Sequence, residues 1–473
     1  MPETREYDVI VIGAGPTGEN VAHRAVKGGL SAVVVESELV GGECSYWACM
    51  PSKALLRPMQ ALLAAQRVGG ARQAVTGALD VAAVFERRDS FTSHWDDSSQ
   101  VQWLEGAHID LVRGHGRLAG PRRVEVANAD GTVALGARHA VVVATGSAAA
   151  LPPVPGLAEA KPWSPREATS ARHVPPRLVV LGGGVVGCEM AQAFTSLGSH
   201  VTVIEMATGL LPANEAVAGR LVEQAMTESG TEVRTGQSAK HVGRDGAGTV
   251  TVQLDVGEVH GDELLVAAGR RPRTDDIGLG TIGLSPGSWL DVDDTLAVRG
   301  VEGGWLYAAG DVNHRALLTH QGKYQARVCG DAIAARVQGR LDPSPWGKHS
   351  ATADHRAVPQ VIFTDPEVGA AGLTEAQARQ AGFNVRVVDY PLGNVSGAEL
   401  YADDYRGHAR LVVDEDRRVV VGATFVGPAA GELVHSATVA IVGEIPLERL
   451  WHAVPAYPTI SEVWLRLLET YGL

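Results

Sequence analysis

The sequence is poor in cysteine and in aromatic residues, and it has no long apolar run. Four cysteines in 473 residues exclude a secreted scaffold held by disulfides. We therefore expect a cytoplasmic protein, a setting in which a close cysteine pair is usually catalytic or redox-sensing. No segment approaches the roughly 18 apolar residues that span a bilayer. The polar start and the short apolar segment after it do not predict a secretory signal. A net charge of −13 argues against nucleic acid or an anionic membrane as a partner.

Glycine, by contrast, is abundant. The 56 glycines, with aromatic residues at only 5%, favour an α/β protein with many tight turns between strands and helices. A chain of this length, 45% of it hydrophobic, is too long for one core and predicts two to four domains.

A first nucleotide-binding unit is predicted near the start of the chain. The apolar strand 7–12 runs into Gly13-Ala14-Gly15-Pro16-Thr17-Gly18, a helix follows to about residue 28, and a second strand ends in Glu36. The glycines let the backbone approach a pyrophosphate at the helix N-terminus, and Glu36 can accept ribose hydroxyls. The whole strand–helix–strand pattern with its terminal acid is far more specific than the glycines alone.

A second, independent unit of the same kind begins at the strand 178–181. Its glycines are Gly182, Gly184 and Gly187, and its second strand ends in Glu205, again 18 positions after the last glycine. No arginine follows Glu205 to receive a 2′-phosphate, so NADH is favoured over NADPH. Two such units predict two nucleotides, a tightly held flavin and a nicotinamide that exchanges.

Two of the four cysteines, Cys44 and Cys49, lie five positions apart after Gly41-Gly42 and before a predicted helix start at Pro51. Five residues of ideal helix rise about 7.5 Å, whereas a disulfide needs Cα atoms within roughly 7 Å. If the two cysteines pair, the backbone between them must depart from ideal helix. A cysteine pair held by such a backbone is more typical of a catalytic redox couple than of a structural crosslink.

Further elements are predicted downstream. A helical stretch is expected over 81–104, and a buried strand over 305–310 ends in Asp311, which is interpreted as a hydroxyl-binding residue rather than a simple turn residue. Thr319 is predicted to be the N-cap of a helix to about residue 338, whose N-terminus could stabilise negative charge on a reduced flavin.

The ordered motifs resemble those of the flavoprotein pyridine nucleotide–disulfide oxidoreductases, which include dihydrolipoamide dehydrogenase, glutathione reductase and mercuric reductase. They are the two glycine loops, Gly41-Gly42 with the cysteine pair, Ala144-Thr145-Gly146, Gly269-Arg270 and Gly310-Asp311. The resemblance implies FAD, NAD(P)H, a homodimer with a composite active site and a small-molecule electron acceptor. It also implies FAD-binding segments at 1–150 and 271–345, an NAD(P)-binding domain at 151–270 and an α+β dimerisation domain at 346–473.

The resemblance also assigns residues. Cys49 lies against the flavin, Cys44 attacks the substrate, and Lys53 and Glu189 form an ion pair near the flavin and the nicotinamide. The implied FAD-binding residues are Gly13, Gly15, Gly18, Glu36, Gly42, Lys53, Gly116, Thr145, Gly146, Asp311 and Thr319. Those implied for NAD are Gly182, Gly184, Gly187, Glu205 and Gly269. No metal site is predicted, and Cys188 and Cys329 are interpreted as packing residues.

Two departures from the family pattern concern the substrate side. Family members that reduce disulfides carry His-x-His-Pro-Thr-x-x-Glu, whereas this chain has Tyr457 at the second histidine and retains Glu462. A phenol with a pKa near 10 is a poor base at neutral pH, and His452 lies too early to replace the histidine. Within the redox loop, Tyr46 and Trp47 could narrow access or stack on a flat substrate, or they could serve local packing.

Three hypotheses follow. The preferred one is an FAD enzyme that passes hydride from NADH to the cysteine pair and on to an unusual disulfide, a quinone or a metal ion. The second is a conventional dihydrolipoamide dehydrogenase, and the third is a flavin-bearing redox sensor or scaffold with little turnover. Tyr457 is what places the first hypothesis ahead of the second.

Overall fold

The computed structural model describes residues 4–473, which divide into two compact units. Unit 1 comprises the described residues of Met1–Met50 together with Asp89–Ala148 and Arg270–His355. Unit 2 comprises Pro51–Arg88, Ala149–Gly269 and Arg356–Leu473. No helix within 4–473 is long and apolar enough to cross a membrane.

The strands are β1 Arg5–Ile12, β2 Ala32–Glu36, β3 Asp110–Arg113, β4 His115–Leu118, β5 Arg123–Asn128, β6 Gly131–Val143, β7 Ser147–Ala149, β8 Arg177–Leu181, β9 His200–Ile204, β10 Glu232–Arg234, β11 Ala239–Arg244, β12 Val250–Leu254, β13 Glu258–Gly261, β14 Glu263–Val266, β15 Arg270–Pro272, β16 Leu306–Ala308, β17 Pro359–Ile362, β18 Glu367–Gly372, β19 Val385–Pro391, β20 His408–Asp414 and β21 Val419–Gly427.

The α-helices are α1 Pro16–Lys27, α2 Gly42–Tyr46, α3 Cys49–Gln66, α4 Val81–Phe91, α5 Ser98–Gly106, α6 Pro165–Thr169, α7 Val185–Ser196, α8 Ala216–Glu228, α9 Thr319–Val337, α10 Ala353–Arg356, α11 Glu375–Gln380, α12 Ser396–Tyr401, α13 Val434–Val442, α14 Leu447–Leu450 and α15 Val463–Tyr471.

Unit 1 is built on a sheet in the order β3-β2-β1-β6-β5-β4, with β16 pairing to β6. Strands β1, β2, β3, β16 and the end of β6 run parallel, while β4 and β5 are antiparallel. The β1 residues Val9–Ile12 are all buried, as an apolar strand covered on both faces requires. The predicted strand 140–143 is the last part of the longer β6. Its earlier residues pair with β5, which the short apolar run did not reveal.

Unit 2 contains a second parallel sheet in the order β10-β9-β8-β14. The predicted strands and the intervening helix of the second nucleotide unit are confirmed as β8, α7 and β9. The buried face of α7 packs with β8 and β9 in one apolar cluster that includes Phe194 and Met190. Because the strands are parallel, their carboxyl ends meet at one edge, where the glycine loop follows β8.

The predicted continuous helix over 81–104 is wrong. Helix α4 ends at Phe91 and α5 begins at Ser98, with a single 3-10 turn at Ser93–Trp95 between them. Ser93, His94 and Trp95 all have positive φ angles of 49–59°. That conformation interrupts the helical hydrogen-bond pattern. The periodicity of the apolar residues did not predict this interruption.

The C-terminal part of unit 2 carries a five-stranded antiparallel sheet in the order β17-β18-β21-β20-β19. Its central strand β21 is buried along its whole length and packs against α13 and α15 in one apolar cluster. Two sheets built around parallel strands, together with helices packed on a C-terminal antiparallel sheet, confirm the predicted fold class. The predicted division of the chain into four segments stays a prediction.

Candidate functional site

The cysteine pair lies where two helices meet in unit 1. Cys44 is within the five-residue α2, Trp47 leaves helical geometry at φ −135° and ψ −2°, and Cys49 is the first residue of α3. The backbone between the cysteines therefore departs from ideal helix, as pairing requires. No disulfide bond joins the two sulfurs in this structure.

The two thiols contact each other and are held by α9. A side-chain hydrogen bond with Cys49, together with burial, raises the pKa of the Cys44 thiol far above its ordinary value. The Sγ atom of Cys49 lies 3.2 Å from Oγ1 of Thr319. The prediction that Thr319 caps α9 is wrong, because the N-cap is Leu318 and Thr319 is the first helical residue. Its hydroxyl turns toward the sulfurs instead.

Of the two aromatic residues in the redox loop, Tyr46 serves local packing. It is only 2% exposed, and its carbonyl accepts a 3.1 Å hydrogen bond from Nε1 of Trp95. A buried ring cannot stack on a substrate, so the substrate-stacking interpretation is wrong for Tyr46. Trp47 is half-buried and contacts the Tyr46 ring edge-on, and its part in substrate access stays a prediction.

The first glycine loop follows β1 and opens into α1. Gly13 has φ +103°, and a β-carbon there would lie 2.4 Å from the Ala144 carbonyl oxygen. A β-carbon at Gly18 would lie 1.8 Å from the Gly13 carbonyl oxygen. A β-carbon at Gly42, whose φ is +56°, would lie 2.8 Å from the Cα of Gly15. Any side chain at these positions would displace the backbone of the loop.

Glu36 closes this loop from the end of β2. Its Oε2 accepts the Ala14 N–H at 2.7 Å and its Oε1 accepts the Glu38 N–H at 2.8 Å, while burial raises its pKa. Gly116 on β4 lies beside the same strand, because a β-carbon there would meet Val35 Cγ1 at 2.9 Å. The structure thus brings Glu36 and Gly116 to one edge of the loop.

The residues around the first loop fit a bound dinucleotide. The Thr145 hydroxyl is buried without a hydrogen-bond partner among residues 4–473. It lies next to the loop, since a β-carbon at Gly13 would be 3.2 Å from the Thr145 Cα. Gly146 has φ +72° and open space around it. A polar ligand bound at the glycine loop would supply the hydrogen-bond partner that this buried hydroxyl needs.

Asp311 follows β16 and belongs to a polar cluster in unit 1. Its Oδ2 accepts a 2.5 Å hydrogen bond from the Ser147 hydroxyl, which in turn accepts one from Nε of Arg270 at 2.6 Å. The preceding Gly310, at φ +82°, donates its N–H to Oε1 of Gln325 on α9. Asp311 is therefore positioned by other polar groups and is more than a turn residue.

The second glycine loop in unit 2 repeats the geometry of the first. Gly182 has φ +108° with its β-carbon position 2.6 Å from the Ala267 carbonyl oxygen, and that of Gly187 is 1.8 Å from the Gly182 carbonyl oxygen. Gly184 has open space around it. Glu205 accepts the Gly183 N–H at 2.6 Å and the Ala207 N–H at 2.7 Å.

Two further predicted residues meet in unit 2. Nζ of Lys53, on α3, lies 2.7 Å from Oε2 of Glu189, on α7. Glu189 is 2% exposed, and its Oε1 accepts the Phe363 N–H at 2.9 Å. A buried carboxylate needs such partners, so the predicted ion pair is present. Gly269, at φ +133°, accepts the Ala150 N–H through its carbonyl.

The two C-terminal candidate residues, Tyr457 and Glu462, differ in their exposure to solvent. The Tyr457 side chain is 75% exposed. Glu462 is buried and its Oε1 accepts a 2.6 Å hydrogen bond from Arg466, one turn later on α15, while its Oε2 has no partner within 4–473. The structure does not join Tyr457 to Glu462. The two other cysteines, Cys188 and Cys329, are fully buried, which agrees with their interpretation as packing residues.

Sequence reasoning missed several site residues. Arg270 belongs to a quoted motif and Ser147 directly follows another, but the hydrogen bond between them could be recognised only from the fold. Glu43, between Gly42 and Cys44, accepts a 2.7 Å hydrogen bond from Arg273, far along the chain. Glu19 immediately follows the glycine loop and is buried. Its position in the predicted helix did not indicate that burial.

Comparison with known families identifies the class. Residues 7–335 match the pyridine nucleotide-disulphide oxidoreductase family, and residues 358–467 match that family's dimerisation domain. The chain therefore belongs to the pyridine nucleotide-disulphide oxidoreductases, which bind FAD and use NAD(P)H.

Individual relatives share about a third of the sequence. A dihydrolipoyl dehydrogenase of Haloferax volcanii is 33% identical, with 98% of this chain and 95% of the relative covered. A mercuric reductase of Staphylococcus aureus is 29% identical, with coverage of 97% and 81%. These alignments extend over nearly the whole chain.

Solved structures share the fold. The HOCl-induced flavoprotein disulfide reductase RclA from Escherichia coli superposes with a TM-score of 0.82 at 23% identity, covering 98% of this chain and 99% of that one. LpdA from Mycobacterium tuberculosis gives 0.82 at 24% identity, covering 99% and 100%.

Proposed function

We propose that the chain oxidises NADH and delivers two electrons, through FAD, to the Cys44–Cys49 pair and then to an acceptor other than lipoamide. The observation that carries the redox half is the contact between the two thiols beside Thr319, next to the first glycine cradle. Bound FAD supplies the hydride-accepting group that links a nicotinamide to a dithiol.

The residues of the chain have distinct proposed roles. The first loop with Glu36, Gly116, Thr145 and Asp311 would hold FAD, and Thr319 would orient the sulfurs. The second loop with Glu205 and Gly269 would hold NADH, and Glu189 would hold the Lys53 side chain in place. A homodimer formed through the C-terminal domain is part of the proposal.

Tyr457 and Glu462 support an unusual acceptor. Tyr457 offers a phenol where the family carries a histidine, and Oε1 of Glu462 accepts a hydrogen bond from Arg466. An acceptor that needs little base catalysis, such as a quinone, a metal ion or an activated disulfide, suits this arrangement. The dihydrolipoyl dehydrogenases among the relatives favour lipoamide as the alternative.

Anaerobic titration with NADH tests the redox half. We expect a long-wavelength absorption band from a thiolate beside oxidised FAD, and we expect Cys49→Ser to lose it while Cys188→Ser retains it. Absence of the band in the wild type would contradict the assignment of Cys49, and very slow reduction by NADH would favour the redox-sensor hypothesis.

Steady-state turnover tests the acceptor. We expect quinones to be reduced faster than lipoamide, with Tyr457→Phe changing quinone turnover less than about twofold because the phenol transfers no proton. Rapid lipoamide turnover that survives Tyr457→Phe would overturn the preference for an unusual acceptor.

A further inference from the structure

A guanidinium that has no part in the proposed electron transfer lies beside the first glycine loop in unit 1. Arg273 directly follows β15, and its backbone N–H donates a 3.1 Å hydrogen bond to the carbonyl of Gly146. Its Nη2 donates a 2.7 Å hydrogen bond to Oε1 of Glu43. Glu43 directly follows Gly42, whose β-carbon position lies 2.8 Å from the Cα of Gly15 in the loop. Arg273 therefore bridges two segments that adjoin the glycine loop.

The same guanidinium has a donor without a partner. Nε of Arg273 is buried and makes no hydrogen bond within residues 4–473. The hydroxyl of Thr145, the residue before Gly146, is also buried without a partner among those residues. The Cα of Thr145 lies 3.2 Å from the β-carbon position of Gly13. Two buried groups near one glycine loop thus lack hydrogen-bond partners, which indicates a polar ligand that both would contact.

Two carboxylates close to the loop make this guanidinium important for an anionic ligand. Nη1 of Arg273 lies 3.5 Å from Oε2 of Glu38, in addition to the contact of Nη2 with Glu43. Both carboxylates would repel a diphosphate held at the glycine loop, and a guanidinium between them and the ligand offsets that repulsion. A guanidinium also carries five N–H donors in a planar fork, so it can bond to a carboxylate and to phosphate oxygens at the same time.

We propose that Arg273 is a further FAD-binding residue, whose guanidinium donates to the diphosphate of the flavin nucleotide while Glu43 positions it. The carboxylate of Glu43 bonds to Nη2 and leaves Nε of Arg273 to the ligand. Because Glu43 directly precedes Cys44, the same guanidinium links the diphosphate to the segment that carries the redox pair. This inference rests on the proposed binding of FAD at the first loop and adds a residue to that site.

The rate at which FAD leaves the holoenzyme tests this role. The purified protein is diluted, and the fluorescence of the released flavin is followed at fixed salt and temperature. We expect Arg273→Gln to release FAD about tenfold faster than the wild type, because a hydrogen bond between two charged groups is lost. The matched control is Arg271→Gln, since Arg271 is an exposed arginine of the same segment that pairs with Asp275. This variant should release FAD at the wild-type rate.

A second pair of variants separates binding of the diphosphate from simple neutralisation of Glu43. In a Glu43→Gln background that side chain has no charge to neutralise, and Arg273→Gln should still speed FAD release by about threefold or more. An unchanged rate in that background would overturn the proposal, as would equal effects of Arg271→Gln and Arg273→Gln in the native background. FAD release needs no turnover, so a wild type that holds FAD but is not reduced by NADH would contradict the proposed function alone.

Discussion

The two glycine-rich loops share their backbone geometry but differ in what surrounds them. In both, the last glycine lies against the carbonyl of the first, with a β-carbon position 1.8 Å from that oxygen. In unit 1 the loop and the start of α1 are enclosed, since Gly42 approaches Gly15 and the Thr17 side chain meets Gly310 and Gly322. In unit 2 Leu210 covers Gly183, but Gly184, which corresponds to Gly15, has open space.

This difference suggests how one motif can serve two kinds of ligand. The cradle for a pyrophosphate needs only the strand, the glycines and the helix N-terminus. Retention of the nucleotide then depends on how many other segments close over it. An enclosed loop suits a flavin that stays bound, and an open loop suits a nicotinamide that must leave after each turnover.

The largest expected effect comes from placing a β-carbon at the last glycine of each loop. Gly18→Ala and Gly187→Ala create the same clash with a backbone carbonyl, which neither loop can relieve without opening. We expect Gly18→Ala to purify with little or no flavin, measured by its visible absorbance. We expect Gly187→Ala to retain flavin but to lose reduction by NADH, while dithionite still reduces it.

Two other glycines provide controls. Gly106→Ala in unit 1 and Gly246→Ala in unit 2 add a methyl group where no atom lies within 4 Å. Both variants should keep flavin and NADH reduction. Loss of flavin from Gly187→Ala with retention in Gly18→Ala would reverse the assignment of the loops.

A smaller effect is expected from the acidic residue that closes each loop. Glu36 and Glu205 each accept two backbone N–H groups, and glutamine has only one oxygen to accept them. Loss of a hydrogen bond to a charged group predicts about a tenfold weaker ligand. We expect Glu205→Gln to raise the KM for NADH by that factor with little change in kcat. Glu36→Gln should instead raise the dissociation constant of FAD. An unchanged KM in Glu205→Gln would show that the carboxylate does not support the NADH site.

The smallest expected effect is on the thermal stability of the protein, and it tests how deeply Glu19 is buried beside the enclosed loop of unit 1. Because burial raises the pKa of Glu19 to about 8, the folded protein holds a proton that the unfolded chain releases near about pH 4.5. Below the pKa of this carboxyl in the unfolded chain, both the folded and the unfolded protein bind the proton, so the burial of Glu19 carries no ionisation cost. As the pH rises toward the pKa in the folded protein, the free energy of unfolding falls. Glu19→Gln removes this loss. Its advantage in Tm over the wild type should grow by about 2 to 4 °C between about pH 5.5 and about pH 8.5.

The exposed Glu105 on α5 gives the control for this measurement. Glu105→Gln, which replaces an exposed side chain of the same unit, should shift Tm equally at both pH values. A Glu19→Gln advantage that is independent of pH would mean that the native carboxyl is already ionised throughout this range.

Much of the site was predictable because its chemistry is local in the chain. The glycine loops, Glu36, Glu205 and the cysteine pair depend on spacing within short segments. The structure has the expected strands and helices around them, and their roles in binding and catalysis stay predictions. The Lys53–Glu189 pair was reached only through the family resemblance, since 136 positions separate the two residues. The break between α4 and α5 and the N-cap position of Thr319 were mispredicted. In both cases the residue types allowed several local conformations, and packing selected one.

The sequence by itself determined the fold class and the two glycine loops, because they are encoded by short-range periodicity and by glycines such as Gly18 and Gly187, where a β-carbon would clash with a backbone carbonyl. Only the tertiary structure decided the state of individual charges and polar groups. The burial of Glu19, the contact of Thr319 with Cys49 and the hydrogen bond from Arg466 to Glu462 all depend on which surfaces pack together. Burial and the distance to charged or hydrogen-bonding neighbours determine the pKa and the hydrogen bonds of such groups, and the type of residue alone specifies neither.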